Sequence, residues 1–93
     1  MKNKRLIVIP TKQFKKDYKQ VRKQGKKLFL LEKVINVLSE GERLPAKNRD
    51  HTLQGDYGNS RECHINPDWL LIYKVAEENL FLVRMGSHSN LFG

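Results

Sequence analysis

The chain has 93 residues, 39% hydrophobic content, a single cysteine and a net charge of +8. That length fits one domain over residues 1–93 with one modest core, and no apolar run approaches the roughly 20 residues of a membrane span. Lone Cys63 excludes an internal disulfide, as suits a reducing compartment.

Behind the basic start Met1-Lys2-Asn3-Lys4-Arg5, the run Leu6-Ile7-Val8-Ile9 predicts a short strand stopped by Pro10. That piece is shorter than the roughly 7–15 apolar residues of a signal-peptide core, so the expected location is cytoplasmic. Thr11 is placed to cap a helix over Lys12 to Gln24, with Phe14, Tyr18 and Val21 on one face and Gly25 at its end. A second helix from about Lys26 to Ser39 carries Leu28, Leu31, Val34, Ile35 and Leu38 as its apolar stripe. Residues 1–34 hold 12 basic and two acidic side chains. Such a field attracts polyanions. Lys15, Lys19 and Lys23 on the outer face of the first helix are therefore candidate RNA contacts, the plain alternative being a lysine-solvated surface.

From Glu42 to Gly58, polar residues and glycines predict a loop with one short extended piece near His51 to Leu53. A strand over Ser60 to Ile65 follows, then the turn residues Asn66-Pro67-Asp68. The next strand, Asp68 to Ala76, is apolar on both faces at Trp69-Leu70-Leu71-Ile72-Tyr73 and reads as central. Glu77-Glu78-Asn79 turns into a last strand, Leu80 to Arg84, which Gly86 breaks. The order β-α-α-β-β-β predicts an α+β fold, a helical hairpin packed on a small, mainly antiparallel sheet whose other face is concave and open to a ligand.

Strand alternation puts Glu62 and His64 on one face, and Arg61, Cys63 and Ile65 on the other. From this stretch alone the Glu62–His64 pair reads as the wet face of a sheet. All three histidines, His51, His64 and His88, fall near loops or strand ends. Two imidazoles either side of a phosphodiester can split RNA by internal attack, one accepting the 2′-OH proton and the other donating to the leaving 5′-oxygen. Arg84 is a candidate for stabilising charge on the phosphate. Cys63 and His64 point to opposite faces, and Cys-x-x-Cys and His-x₃-His pairs are lacking, so no metal is expected.

Three separated motifs then carry a resemblance. Asp50-His51-x-Leu53-x-Gly55, Arg61-Glu62-Cys63-His64-Ile65-x-Pro67-Asp68-Trp69-Leu70-Leu71-Ile72-Tyr73-Lys74 and Arg84-x-Gly86-Ser87-His88-Ser89-x-Leu91-Phe92 resemble the YafQ branch of the RelE superfamily. These are toxins of bacterial type II toxin–antitoxin pairs. The resemblance implies a RelE-like fold and a ribosome-dependent endoribonuclease that cuts mRNA by acid–base chemistry without a cofactor. It also implies a cognate antitoxin and a toxin–antitoxin hetero-oligomer. By position, His51, His64, Asp68, His88 and Phe92 match the active-site set, with Glu62 and Arg84 in support. Where RelE proper carries lysine and arginine, histidines and carboxylates stand here. Phe92 offers a ring for stacking a base, and Asp50 is placed to orient His51. Two other readings compete, a non-catalytic poison like the gyrase-inhibiting ParE branch and a basic module binding RNA or antitoxin.

Overall fold

Thr11 caps the first helix as its position predicts, its hydroxyl oxygen accepting from the Phe14 N–H at 3.0 Å. The structure, a computed structural model, describes residues 5–93, with only the backbone of Asp56. The start Met1-Lys2-Asn3-Lys4, counted in the basic third and in the signal-peptide reading, lies outside the described residues. The elements are β1 (Ile7–Pro10), α1 (Lys12–Lys23), α2 (Leu28–Ser39), β2 (His51–Thr52), β3 (Arg61–Asn66), β4 (Trp69–Ala76), β5 (Asn79–Gly86) and α3 (His88–Phe92). Single 3₁₀ turns lie at Ala46–Asn48 and Gly55–Tyr57.

α2 starts two residues later than the apolar pattern suggests. Gly25 takes φ +75 between the helices, and Lys27 is extended and supplies no capping side chain. The predicted extended piece near His51 is β2. The strands form one sheet in the order β1-β5-β4-β3-β2, with β1 parallel to β5 and the other pairs antiparallel. β4 sits at its centre, as its two apolar faces predict.

One face of the sheet packs on the hairpin. Phe14, Val21, Leu31, Val34 and Leu38 meet Cys63, Trp69, Leu71, Tyr73, Leu80, Leu82 and Met85 there. Lys26 Nζ lies 5.9 Å from the centre of the Trp69 ring, a cation–π contact. The other face is not simply open. Its centre, Leu70 and Ile72, is covered by Leu91 of α3, with Leu53, Tyr57 and Val83 around them. The segment after Gly86 reads as a polar tail, but it folds over the sheet because Leu91 alone among its neighbours finds an apolar seat.

The β4–β5 register shifts by one residue. Ile72 pairs with Arg84, but Tyr73 pairs with Leu82, leaving Val83 as the extra residue. Bulges of this kind re-aim side chains. Unbroken alternation would set Arg84 beside Leu80 and Leu82 on the helical side. The bulge sends Arg84 to the opposite face and returns Met85 to the core.

Candidate active site

Residues directly opposite each other in an antiparallel pair share a face. Reading the register across the sheet gives one row, His51–Glu62–Ile72–Arg84, and a second, His64–Leu70–Gly86. With strands ~4.8 Å apart, the first row runs about 14 Å from His51 to Arg84. Leu91 sits above its middle, so α3 brings His88 and Phe92 over the same face.

Glu62 is the buried member. It is only 5% exposed, which corrects the reading of the Glu62–His64 pair as a wet surface. Alternation puts both on one face, but the carboxylate lies between the His51 and His64 rings. Its Oε1 lies 3.3 Å from His51 Nε2 and 4.0 Å from His64 Nε2. Its Oε2 has no hydrogen-bond partner among the described residues. One carboxylate thus faces two imidazoles, with His51 half exposed and His64 more enclosed.

The expected orientation of His51 by Asp50 is not what the structure has. His51 Nδ1 donates to the Arg49 carbonyl oxygen at 2.8 Å, with Arg49 in a left-handed conformation, φ 48. Neighbouring strand residues face opposite ways, and Asp50 points to the helical side. There its Oδ1 accepts from the Tyr73 hydroxyl at 2.6 Å and from Arg61 Nε at 3.2 Å. Burial, followed by the hydrogen bond to Asp50, pushes the Tyr73 phenol well above its ordinary range. The Asp50 bond raises Arg61 as well. Arg61 therefore lies away from the histidines, as alternation predicts.

Asp68 lies in the turn, exposed, its backbone N–H donating to Asn66 Oδ1 at 3.1 Å. It shares an end of the sheet with His88, since Leu70 pairs with Gly86. No hydrogen bond or ion pair ties the Asp68 side chain to the histidines among the described residues. His88 is exposed at the start of α3, and its ring centre lies 5.1 Å from that of Phe92. Phe92 meets the edge of Tyr57 at 5.9 Å. Lys15, Lys19 and Lys23 stand exposed on the solvent side of α1, remote from the buried stripe of Phe14 and Val21.

Arg84 is held by a residue the sequence pattern does not announce. Asp17, one turn from Phe14 and Val21, is 9% exposed and receives Arg84 Nε at 3.1 Å and Nη2 at 3.0 Å. The Met85 N–H at 3.0 Å and Gln13 Nε2 at 3.2 Å complete its partners. Burial works to raise the Asp17 carboxyl, but the bonds from Arg84, Met85 and Gln13 outweigh it and hold the group below the usual carboxylate range. The same pairing raises Arg84 further. The signal was available only as an oddity, one acid inside the apolar stripe of a lysine-rich helix. Tyr57, whose ring meets Phe92, sits in a loop of unremarkable composition that carries no signal of it.

A hairpin on a five-stranded sheet, with histidines, a buried carboxylate and an arginine on the sheet's far face, defines a RelE-like toxin. The model of the YafQ family, bacterial toxins of type II toxin–antitoxin systems, matches residues 6–93. The chain belongs to that family. The mRNA interferase toxin YafQ of Escherichia coli is 39% identical over 82 residues, spanning 87% of this chain and 89% of the relative. The crystal structure of the E. coli DinJ–YafQ toxin–antitoxin complex matches with a TM-score of 0.88 at 36% identity, covering 96% of this chain and 99% of that one. A metal-bound toxin from Helicobacter pylori matches with a TM-score of 0.88 at 46% identity, covering 94% and 99%. Among the described residues of this protein, no group of three or more His, Cys, Asp or Glu side chains is placed to hold a metal ion. No described helix is long and apolar enough to cross a membrane.

Proposed function

We propose that this chain is the toxin of a type II toxin–antitoxin pair, an endoribonuclease that cuts mRNA on the ribosome in the cytoplasm. The observation that carries the chemistry is the buried Glu62 carboxylate between His51 and His64, facing across the sheet toward Arg84 and α3. A phosphodiester lying over Leu91 meets imidazoles from two sides, His51 and His64 on one and His88 on the other. One histidine accepts the 2′-OH proton as the 2′-oxygen attacks phosphorus. Another donates a proton to the departing 5′-oxygen, leaving a 2′,3′-cyclic phosphate and a 5′-hydroxyl. Glu62 orients the first pair, and Arg84 stabilises the extra charge on the phosphate. Asp68 stands at the rim and assists proton transfer there, while Phe92 stacks on an unstacked base. Lys15, Lys19 and Lys23 supply affinity for the ribosome and its RNA. The similarity to a relative crystallised with the antitoxin DinJ supports an antitoxin partner and a hetero-oligomer for this chain too.

The test is single-turnover cleavage of mRNA bound to translating ribosomes. Discrete cuts with cyclic-phosphate ends are expected. Intact mRNA with translating ribosomes and folded protein would leave only a non-catalytic binding role.

A further inference from the structure

Asp17 is the only acid in α1, and three of its four hydrogen bonds link that helix to the end of β5. β1 pairs with β5 only as far as Leu82, so among the described residues the edge of β5 beyond it has no neighbouring strand. Asp17 takes the Met85 N–H there at 3.0 Å. Capping one N–H needs one acceptor, which a neutral side chain provides. The second demand on this carboxylate is the fork of Arg84, which binds through Nε and Nη2 at 3.1 and 3.0 Å. The Val83 bulge turns Arg84 to the site face, and Asp17 then fixes the plane of its guanidinium. A guanidinium is rigid and carries five N–H donors. With one side of the fork occupied, the other donors point away from Asp17. Tyr57 adds to the upward push on the Arg84 guanidinium, and its ring meets Phe92. The guanidinium is held against α1 through two hydrogen bonds to Asp17.

We propose that Asp17 is a positioning residue for the cleavage reaction, its buried carboxylate setting the Arg84 guanidinium in the orientation from which it meets the phosphate. This rests on the role given to Arg84 above. Small displacements of a group that acts on the transition state cost rate steeply, to roughly 10²-fold for about 1 Å.

A double-mutant cycle in single-turnover cleavage on ribosomes tests it. Asp17→Asn keeps the shape and one acceptor for Met85 but loses the charged fork, and it should lower kcat about 10- to 100-fold with little change in KM. In an Arg84→Ala background the same Asp17→Asn change should cost almost nothing further. A purely structural Asp17 would slow both backgrounds alike, and that equal loss would overturn the proposal. Folded Asp17→Asn at the wild-type rate, with Arg84→Ala slow, would also overturn it while leaving Arg84 in the mechanism. Arg84→Ala at the wild-type rate would remove both roles together. If Asp17→Asn does not fold, Asp17→Glu, which keeps the charge but shifts the fork by one methylene, is read in the same cycle.

Discussion

Replacing His88 should separate activity from stability more cleanly than any other change in the site. The side chain is exposed at the first position of α3, and its main contact is the ring of Phe92 at 5.1 Å. An aromatic pair contributes ~0.5–1.5 kcal/mol when packed, and an exposed one falls at the bottom of that range. The features that hold α3 in place are elsewhere. Ser87 Oγ accepts from the Asn90 N–H at 3.2 Å, and Leu91 is buried over Leu70 and Ile72. His88→Gln should therefore cost about 0.5 kcal/mol or less, a Tm shift of roughly 2–4 °C for a domain of this size. Loss of a proton-transferring imidazole costs about 10²–10⁴ in rate, or ~3–5 kcal/mol of transition-state stabilisation. The catalytic effect should exceed the stability effect about sixfold or more. Single-turnover cleavage on ribosomes measures the first quantity and thermal unfolding the second, with ribosome binding as a control that should not move. Folded His88→Gln cutting at the wild-type rate would take His88 out of the mechanism and leave His51 and His64 to supply both proton transfers.

Other consequences follow from the same geometry. Reversing the charge of Lys15, Lys19 and Lys23 should weaken ribosome binding and flatten its log–log salt dependence by about two to three units, at ~0.7–0.9 per phosphate contact; an unchanged slope would make those lysines a solvated surface. The Asp17 carboxyl is held below its ordinary 3.8 in the folded protein, so its contribution is complete above that pH and is lost as pH falls through the lower folded value. An Asp17→Asn protein should accordingly show a flatter acid limb in its stability curve, and an identical limb would contradict the pairing with Arg84. Burial pushes the Cys63 thiol up to about 12, so maleimide labelling at pH 8 should proceed only at the rate of unfolding; fast labelling of native protein would show that β3 opens locally. Tyr57→Phe keeps the ring against Phe92 and should keep activity, whereas Tyr57→Leu loses that ring contact and should lower it. Equal activity in all three would free Phe92 from any dependence on the Tyr57 ring.

Much of the fold is written in local signals. Thr11 and Gly25 bracket α1, the spacing of Leu28, Leu31, Val34 and Leu38 sets α2, and the doubly apolar run Trp69 to Tyr73 marks the central strand. These depend on neighbours three or four residues apart, and the period of the pattern is enough to read them. The same holds for the shared face of Glu62 and His64, which needs only the two-residue repeat of a strand.

The arrangement of the candidate site depends on longer distances. The Val83 bulge adds one residue to β5 opposite β4, and strand propensity looks the same with or without it. Yet that residue decides which face Arg84 occupies. Asp17 and Arg84 are 67 residues apart in the chain, so the buried carboxylate can be explained only once α1 lies against the uncovered end of β5. His51 is oriented by the Arg49 carbonyl because a left-handed residue turns the backbone, while the adjacent Asp50 serves Tyr73 on the opposite side. α3 gains its place from Leu91 seated on Leu70 and Ile72. Composition and periodicity determined which elements form and which residues share a face; packing between distant segments decided which charges are buried, which are paired, and which face of the sheet Arg84 shares with His51 and His64.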